Sequence, residues 1–162
     1  MRPHDEVLEI GFGPGTTVPR LANLAVHGRV AGVDLSEVMV KQAIRRNRSF
    51  VQSGRVELKQ GSVSSLPYEE GRFNKVLAVN SFDHWPSPAD DLREVRRVMK
   101  NGGLLLLAFR EALPTKSPMA APGLSQVQIE QVERLVRNAG FRDIHTIKRQ
   151  AGRPIALVLA NR

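Results

Sequence analysis

Val7-Leu8-Glu9-Ile10-Gly11-Phe12-Gly13-Pro14-Gly15-Thr16 opens the regular structure of the chain and decides its fold class. Val7 to Ile10 read as a short strand, and the glycines at 11, 13 and 15 stop it. Glycine at alternate positions lets the backbone turn tightly and approach a ligand where a side chain would clash. A helix begins in the same turn, over residues 16–25 with Pro19 in its first turn, so its unpaired N–H groups face whatever the turn cradles. A tight turn without a ligand explains the same glycines, so the motif needs support from further along the chain.

Outward from this unit, short apolar runs alternate with longer amphipathic ones, the pattern of βαβ units and a parallel sheet. Residues 29–34 read as a second strand. Ser36 caps a helix running to about Gln52, with Val38, Met39, Ala43, Ile44 and Val51 as its buried face and Gly54 as its stop. Strands follow over 56–60 and 73–79. A turn-rich loop spans 80–88, and a helix over 89–100 faces inward through Leu92, Val95, Val98 and Met99. Asn101-Gly102-Gly103 supplies a left-handed stop. Leu104 to Phe109 is apolar without alternation, which predicts a central strand covered on both faces. A loop rich in Pro and Ala over 111–123, a helix over 125–138 and a hairpin of strands over 141–148 and 154–160 complete one domain, residues 1–162.

Composition narrows the function classes. Hydrophobic content of 41% and charged content of 25% are those of a soluble globular domain. The chain has no cysteine, hence no disulfide and no thiolate chemistry, and no spacing of other residues reads as a metal site. It shows no signal-peptide core and no apolar run long enough to span a membrane, so a cytoplasmic location is the natural reading. The net charge of +8 invites a nucleic-acid partner. Yet 18 of the 24 basic residues are arginines scattered along the chain, and no aromatic residues interleave with them as base stacking would require. The clusters Arg45-Arg46-Arg48 and Arg93-Arg96-Arg97 read as solvated faces of outer helices, which disfavours nucleic acid.

Asp34 supplies the support the glycine turn needs. It ends the second strand about 20 residues past the turn, where an acidic side chain accepts hydrogen bonds from both hydroxyls of an adenosine ribose. Capping of the next helix is the other role open to it, but Ser36 is better placed for that. The glycine spacing, Gly11-x-Gly13-x-Gly15, departs from the Gly-x-Gly-x-x-Gly of nicotinamide and flavin sites.

Glu9-Ile10-Gly11-Phe12-Gly13-Pro14-Gly15 resembles the first motif of class I methyltransferases, the Rossmann-like enzymes that use S-adenosyl-L-methionine. Gly32-Val33-Asp34-Leu35-Ser36 resembles their second motif, and Gly61-Ser62-Val63-Ser64-Ser65-Leu66-Pro67-Tyr68 sits where they have a Gly-Asp-Ala-like stretch before Leu-Pro-Phe. Leu92 to Gly103 is similar to their fourth helix and the Lys-Pro-Gly-Gly turn after it. The closest-looking subgroup is the small-molecule one of the ubiquinone- and menaquinone-biosynthesis kind, called type 11. The resemblance implies a doubly wound, mostly parallel sheet of seven strands in the order 3-2-1-4-5-7-6, the seventh antiparallel. It implies that Glu9 reaches the methionyl ammonium and that Gly11, Phe12, Gly13 and Gly15 let the main chain approach the methionine and ribose. Asp34 would hold the ribose, Leu35 and Met39 would pack on the adenine, Ser62 and Val63 would edge it, and Asn80 and Ser81 would lie near the sulfonium.

Two departures bear on the site. Ser62 stands where the family often has an aspartate that binds the adenine amino group. Only six residues precede the first strand, so the N-terminal helices that usually close over the cofactor are missing and the site is expected to be open; a truncated gene start, a second copy in a homodimer acting as lid, or a macromolecular acceptor would each account for it. Holding an acceptor in line with a sulfonium methyl supplies much of the acceleration. If the acceptor must lose a proton, His84 in Asp83-His84-Trp85 is the candidate base; packing of the loop is its plainer role. A small-molecule acceptor of a lipid-like or quinone-like kind, an RNA or protein acceptor, and a cofactor-binding subunit without turnover are the three readings the sequence supports.

Overall fold

The computed structural model describes residues 1–112, 123–150 and 154–162. Its strands are β1 Glu6–Ile10, β2 Arg29–Asp34, β3 Val56–Gln60, β4 Phe73–Val79, β5 Met99–Arg110, β6 Arg142–Arg149 and β7 Ile155–Asn161. Its helices are α1 Val18–Leu24, α2 Glu37–Arg46, α3 Arg48–Gln52, α4 Pro88–Val98 and α5 Gln126–Asn138. The strands form one sheet in the order β3-β2-β1-β4-β5-β7-β6, parallel except where β7 pairs antiparallel with β5 and β6. That is the order and the antiparallel seventh strand the resemblance implied.

Alternation along the strands sends side chains to two cores. On one face Leu8, Ile10, Val76, Ala78, Leu105, Leu107 and Phe109 pack under Leu92, Val95 and Val98 of α4 and Ile129, Val132 and Val136 of α5. On the other, Val7, Val30, Val56, Leu58 and Leu77 pack with Phe12, Val18, Leu21, Val40 and Ala43 beneath α1 and α2. Burying each such side chain contributes about 1.5–3 kcal/mol before the entropy of ordering it is set against the gain. Ser125 and Gln128 form a reciprocal capping box that starts α5 at its expected position.

Four expectations need correction. The helix expected over 36–52 breaks at Asn47 into α2 and α3. Its buried positions are Val40 and Ala43, while Val38 and Ile44 are exposed, because the helix turns the 40/43/47 face toward the glycine turn. Helix α4 ends at Val98, and β5 already begins at Met99; Asn101-Gly102-Gly103 survives as an irregularity in its pairing with β4, Gly102 having φ +73°. Finally, β5 is buried on one face only. Leu105, Leu107 and Phe109 are covered, but Leu104, Leu106 and Ala108 are half-buried, since the helices of the second face sit over the β1–β3 half of the sheet. Most of the loop expected over 111–123, and the hairpin turn at 151–153, lie outside the described residues.

Candidate active site

The carboxyl ends of β1, β2 and β4 meet at one edge, with Ile10 opposite Val33 on one side and Ala78 on the other. The glycine turn leaves β1 there and is pinned from β2: Gly11 N–H donates to the Val33 carbonyl at 2.8 Å and Gly13 N–H to Asp34 Oδ2 at 2.7 Å. Gly11 has φ +70°, and a Cβ on it would lie 2.5 Å from the Ser81 Cβ. No other residue fits, since both the conformation and the space exclude a side chain. Ser81 is drawn in because its hydroxyl donates to the Ile10 carbonyl at 2.7 Å, tying the end of β4 to the end of β1.

Asp34 carries two local bonds, from Gly13 N–H and, at 2.9 Å on Oδ1, from Ser36 N–H. A carboxylate offers about four acceptor positions, so capacity remains for a ligand's hydroxyls. The cap of α2 is Ser36, whose Oγ accepts from Met39 N–H.

A crevice of about 230 Å³ opens here. Of the residues predicted for the site, Gly11, Asp34, Leu35, Val63, Asn80, Ser81 and His84 line it. Ile10, Val33, Gly61, Trp85 and Pro86 join them; the first four stand inside the stretches read for the site without being named among its binding residues, and Pro86 follows the last of these stretches. The other predicted residues stand back from the crevice. The Phe12 ring packs into the core against Gly32, where a Cβ would come within 2.6 Å of it, so only its main chain is offered to the turn. Gly13 has open space around it, Gly15 is turned toward α2, Met39 is half-buried on α2, and Ser62 Oγ accepts from Ser64 N–H in a local turn.

Glu9 lies beneath the turn, 2% exposed, with Oε2 lacking any partner among the described residues. Burial pushes its carboxyl up to about 7, against a smaller opposing effect of the Thr17 hydroxyl. Such a group suits a cationic neighbour, which would restore its charge and fill the empty acceptor position.

A second cavity, about 380 Å³, adjoins the first. Asp83, His84, Arg110 and Gln128 supply its polar wall and Phe109 and Leu124 its apolar one; Asn80 and His84 line both cavities. Asn80 sits at φ +50°, an uncommon conformation held by its N–H on the Ala108 carbonyl and by Arg110 N–H on its Oδ1 at 3.1 Å. His84 is well exposed, with Nε2 3.8 Å from Asp83 Oδ2. Behind it Trp85 and Phe109 pack on the Phe82 ring, so the backbone that carries His84 is anchored although its side chain is not.

None of the clustered arginines lines either cavity. Arg45 and Arg46 occupy the last turn of α2, and Arg93 pairs with Asp90. Arg96 and Arg97 are half-buried, which corrects the expectation of a wholly solvated face. Arg97 binds Glu94 at 2.7 Å and the carbonyls of Tyr68 and Leu66, and Arg96 donates to the Gly140 carbonyl. No helix among the described residues is long and apolar enough to cross a membrane, and they include no cluster of metal-binding side chains.

Against known proteins, a family model described as a methyltransferase domain matches residues 8–107. The chain is 29% identical over 140 residues to the uncharacterized methyltransferase YdaC of Bacillus subtilis, covering 86% of this chain and 73% of that protein. It is 29% identical over 157 residues to the erythromycin 3''-O-methyltransferase of Saccharopolyspora erythraea, covering 86% and 51%. The chain thus spans about half the length of several of the curated relatives it matches. A SAM-dependent methyltransferase from Aquifex aeolicus shares the fold with a TM-score of 0.81 at 21% identity, over 98% of this chain and 82% of that one.

Proposed function

The chain belongs to the methyltransferase-domain family, and on that premise we propose that it binds S-adenosyl-L-methionine in the crevice and directs its methyl group to a small-molecule hydroxyl in the adjoining cavity. The observation that carries this reading is the meeting of the two cavities at Asn80 and His84, which supports reading one as the donor's and the other as the acceptor's. The residues fit the cofactor. Asp34 has acceptor capacity for a ribose, Leu35 and Val63 offer an apolar slot for a purine, and the orphan oxygen of Glu9 awaits a cation beneath the turn.

When bound, the cofactor supplies an electrophilic methyl on a sulfonium; the protein's work is placement and proton removal. Asp34 and the turn fix one end of the donor. Ser81 and Asn80, each held to a neighbouring strand, fix the end of β4 beside the reacting centre. His84 takes the acceptor's proton, and Asp83 Oδ2 lies 3.8 Å from its Nε2. A hydroxyl acceptor agrees with the relative that acts as an erythromycin 3''-O-methyltransferase. The mixed wall of Asp83, Arg110 and Gln128 favours a polar acceptor over a quinone-like one.

The charge of +8 supports a second reading, an RNA acceptor. Against it, Arg93 and Arg97 are paired with carboxylates and Arg45 and Arg46 lie at the end of α2 remote from its cap. A methyl-transfer screen with labelled donor over hydroxylated metabolites and RNA tests both. Label in a hydroxylated metabolite supports the first reading. Tight RNA binding in about 0.15 M salt, where screening weakens nonspecific contacts, promotes the second. Failure to bind S-adenosylhomocysteine refutes the cofactor assignment and both readings with it.

A further inference from the structure

We propose that Asn47 is a positioning residue for the cofactor turn: by holding the Gly15 carbonyl it keeps the glycine turn in the shape that receives S-adenosylmethionine. The inference rests on the cofactor reading above and adds a residue that lies outside the motifs.

Asn47 is 1% exposed and sits at the break between α2 and α3, with φ −107° and ψ 22°. Its Nδ2 donates to the Gly15 carbonyl at 3.0 Å and to the Ala43 carbonyl at 2.8 Å. A residue at this point of the chain ordinarily turns its side chain forward to cap the next helix. Asn47 makes no such bond to α3; its amide serves a residue 32 positions earlier instead. The orientation of the amide is forced, because reversing it would set Oδ1 against two carbonyl oxygens. Oδ1 is left without a partner among the described residues, a cost the fold carries while the two donor bonds are kept.

The tether matters because Gly15 is the last glycine of the turn. It has φ +70°, and a Cβ on it would lie 2.7 Å from both the Ala43 Cβ and Asn47 Nδ2, so the turn rests directly on α2. Gly11 and Gly13 are held through their N–H groups from β2, and Asn47 holds the third glycine from the opposite side. In a planar trans peptide, a Gly15 carbonyl fixed toward α2 aims the Thr16 N–H away from it. Two residues on, the Thr17 hydroxyl opposes the rise that burial imposes on the Glu9 carboxyl. Releasing Gly15 therefore frees the segment that carries the helix N–H groups.

The test is titration of S-adenosylhomocysteine into the full chain and its variants, with thermal midpoints in parallel. Asn47→Ser keeps a hydroxyl that can donate to the Ala43 carbonyl one turn back but is too short to reach Gly15. Its dissociation constant is expected to rise about tenfold, the size of losing one well-placed hydrogen bond's worth of order. Val136→Ala, buried in α5 under the far face of the sheet, is the control: its midpoint falls while its affinity stays within about twofold of the parent. Should Asn47→Ser not fold, Asn47→Asp, equal in size but presenting oxygen to both carbonyls, takes its place. An unchanged dissociation constant in the Asn47 variant overturns the proposal. Equal weakening by Val136→Ala at the same loss of stability does so too, since the effect would then be general loosening. Absence of binding by the parent chain is a separate result, which refutes the cofactor reading itself.

Discussion

Replacing Asp34 by alanine separates its two jobs. In the structure its carboxylate accepts from Gly13 N–H at 2.7 Å and from Ser36 N–H at 2.9 Å. Losing both from a half-buried site costs about 2 kcal/mol at roughly 1 kcal/mol each, which for a chain of this size lowers the thermal midpoint by about 4–8 °C. The ligand-directed job is larger. Two ribose hydroxyls donating to a carboxylate contribute about 1.5 kcal/mol each at the low end, together about 3 kcal/mol. The affinity for S-adenosylhomocysteine should therefore fall about a hundredfold, and at least tenfold if water replaces one bond. Calorimetric titration at a temperature well below the variant's midpoint reads the affinity without the stability loss. A lowered midpoint with an unchanged dissociation constant would show that Asp34 only shapes the turn and that the ribose lies elsewhere.

Glu9 should make both stability and binding depend on pH. Because burial raises its folded-state value from the ordinary 4.5 to about 7, its contribution to stability is fully present below about 4.5 and is lost as pH rises to about 7. Glu9→Gln removes that loss, so the midpoint advantage of the variant over the parent should grow between pH 5 and about 7 and then level, by an amount on the order of 3 kcal/mol at most. Ligand affinity should move the other way, rising through the same window in the parent and staying flat in Glu9→Gln. Gly11→Ala places a Cβ 2.5 Å from Ser81 and should abolish ligand binding, whereas Gly54→Ala, at φ +72° with nothing within 4 Å, should cost only about 1–2 kcal/mol of stability and no affinity. His84→Ala should lower kcat by about 10²–10⁴ once an acceptor is in hand, with the dissociation constant of S-adenosylhomocysteine unchanged; an unaltered kcat removes His84 as the base.

What the sequence determined by itself is what short-range chemistry dictates. A β-branched run followed by alternating glycines can only be a strand running into a tight turn, and an acid ending the next strand lies beside that turn once the two strands pair in parallel. Ser36 as cap was legible for the same reason, since partner and cap lie three residues apart. The strand order was not in the periodicity at all; it came through the likeness of four motifs. The tertiary structure alone decided which face of α2 is buried. Helical spacing tells which residues share a face but not which face meets the sheet, and here the Asn47 contact with Gly15, 32 residues away, sets it. It also decided that Arg96 and Arg97 serve carbonyls, that β5 is covered on one side only, and that Asn80 and His84 stand between two cavities. Each of these depends on elements brought together across the sheet, and no local pattern in the chain encodes the distance between them.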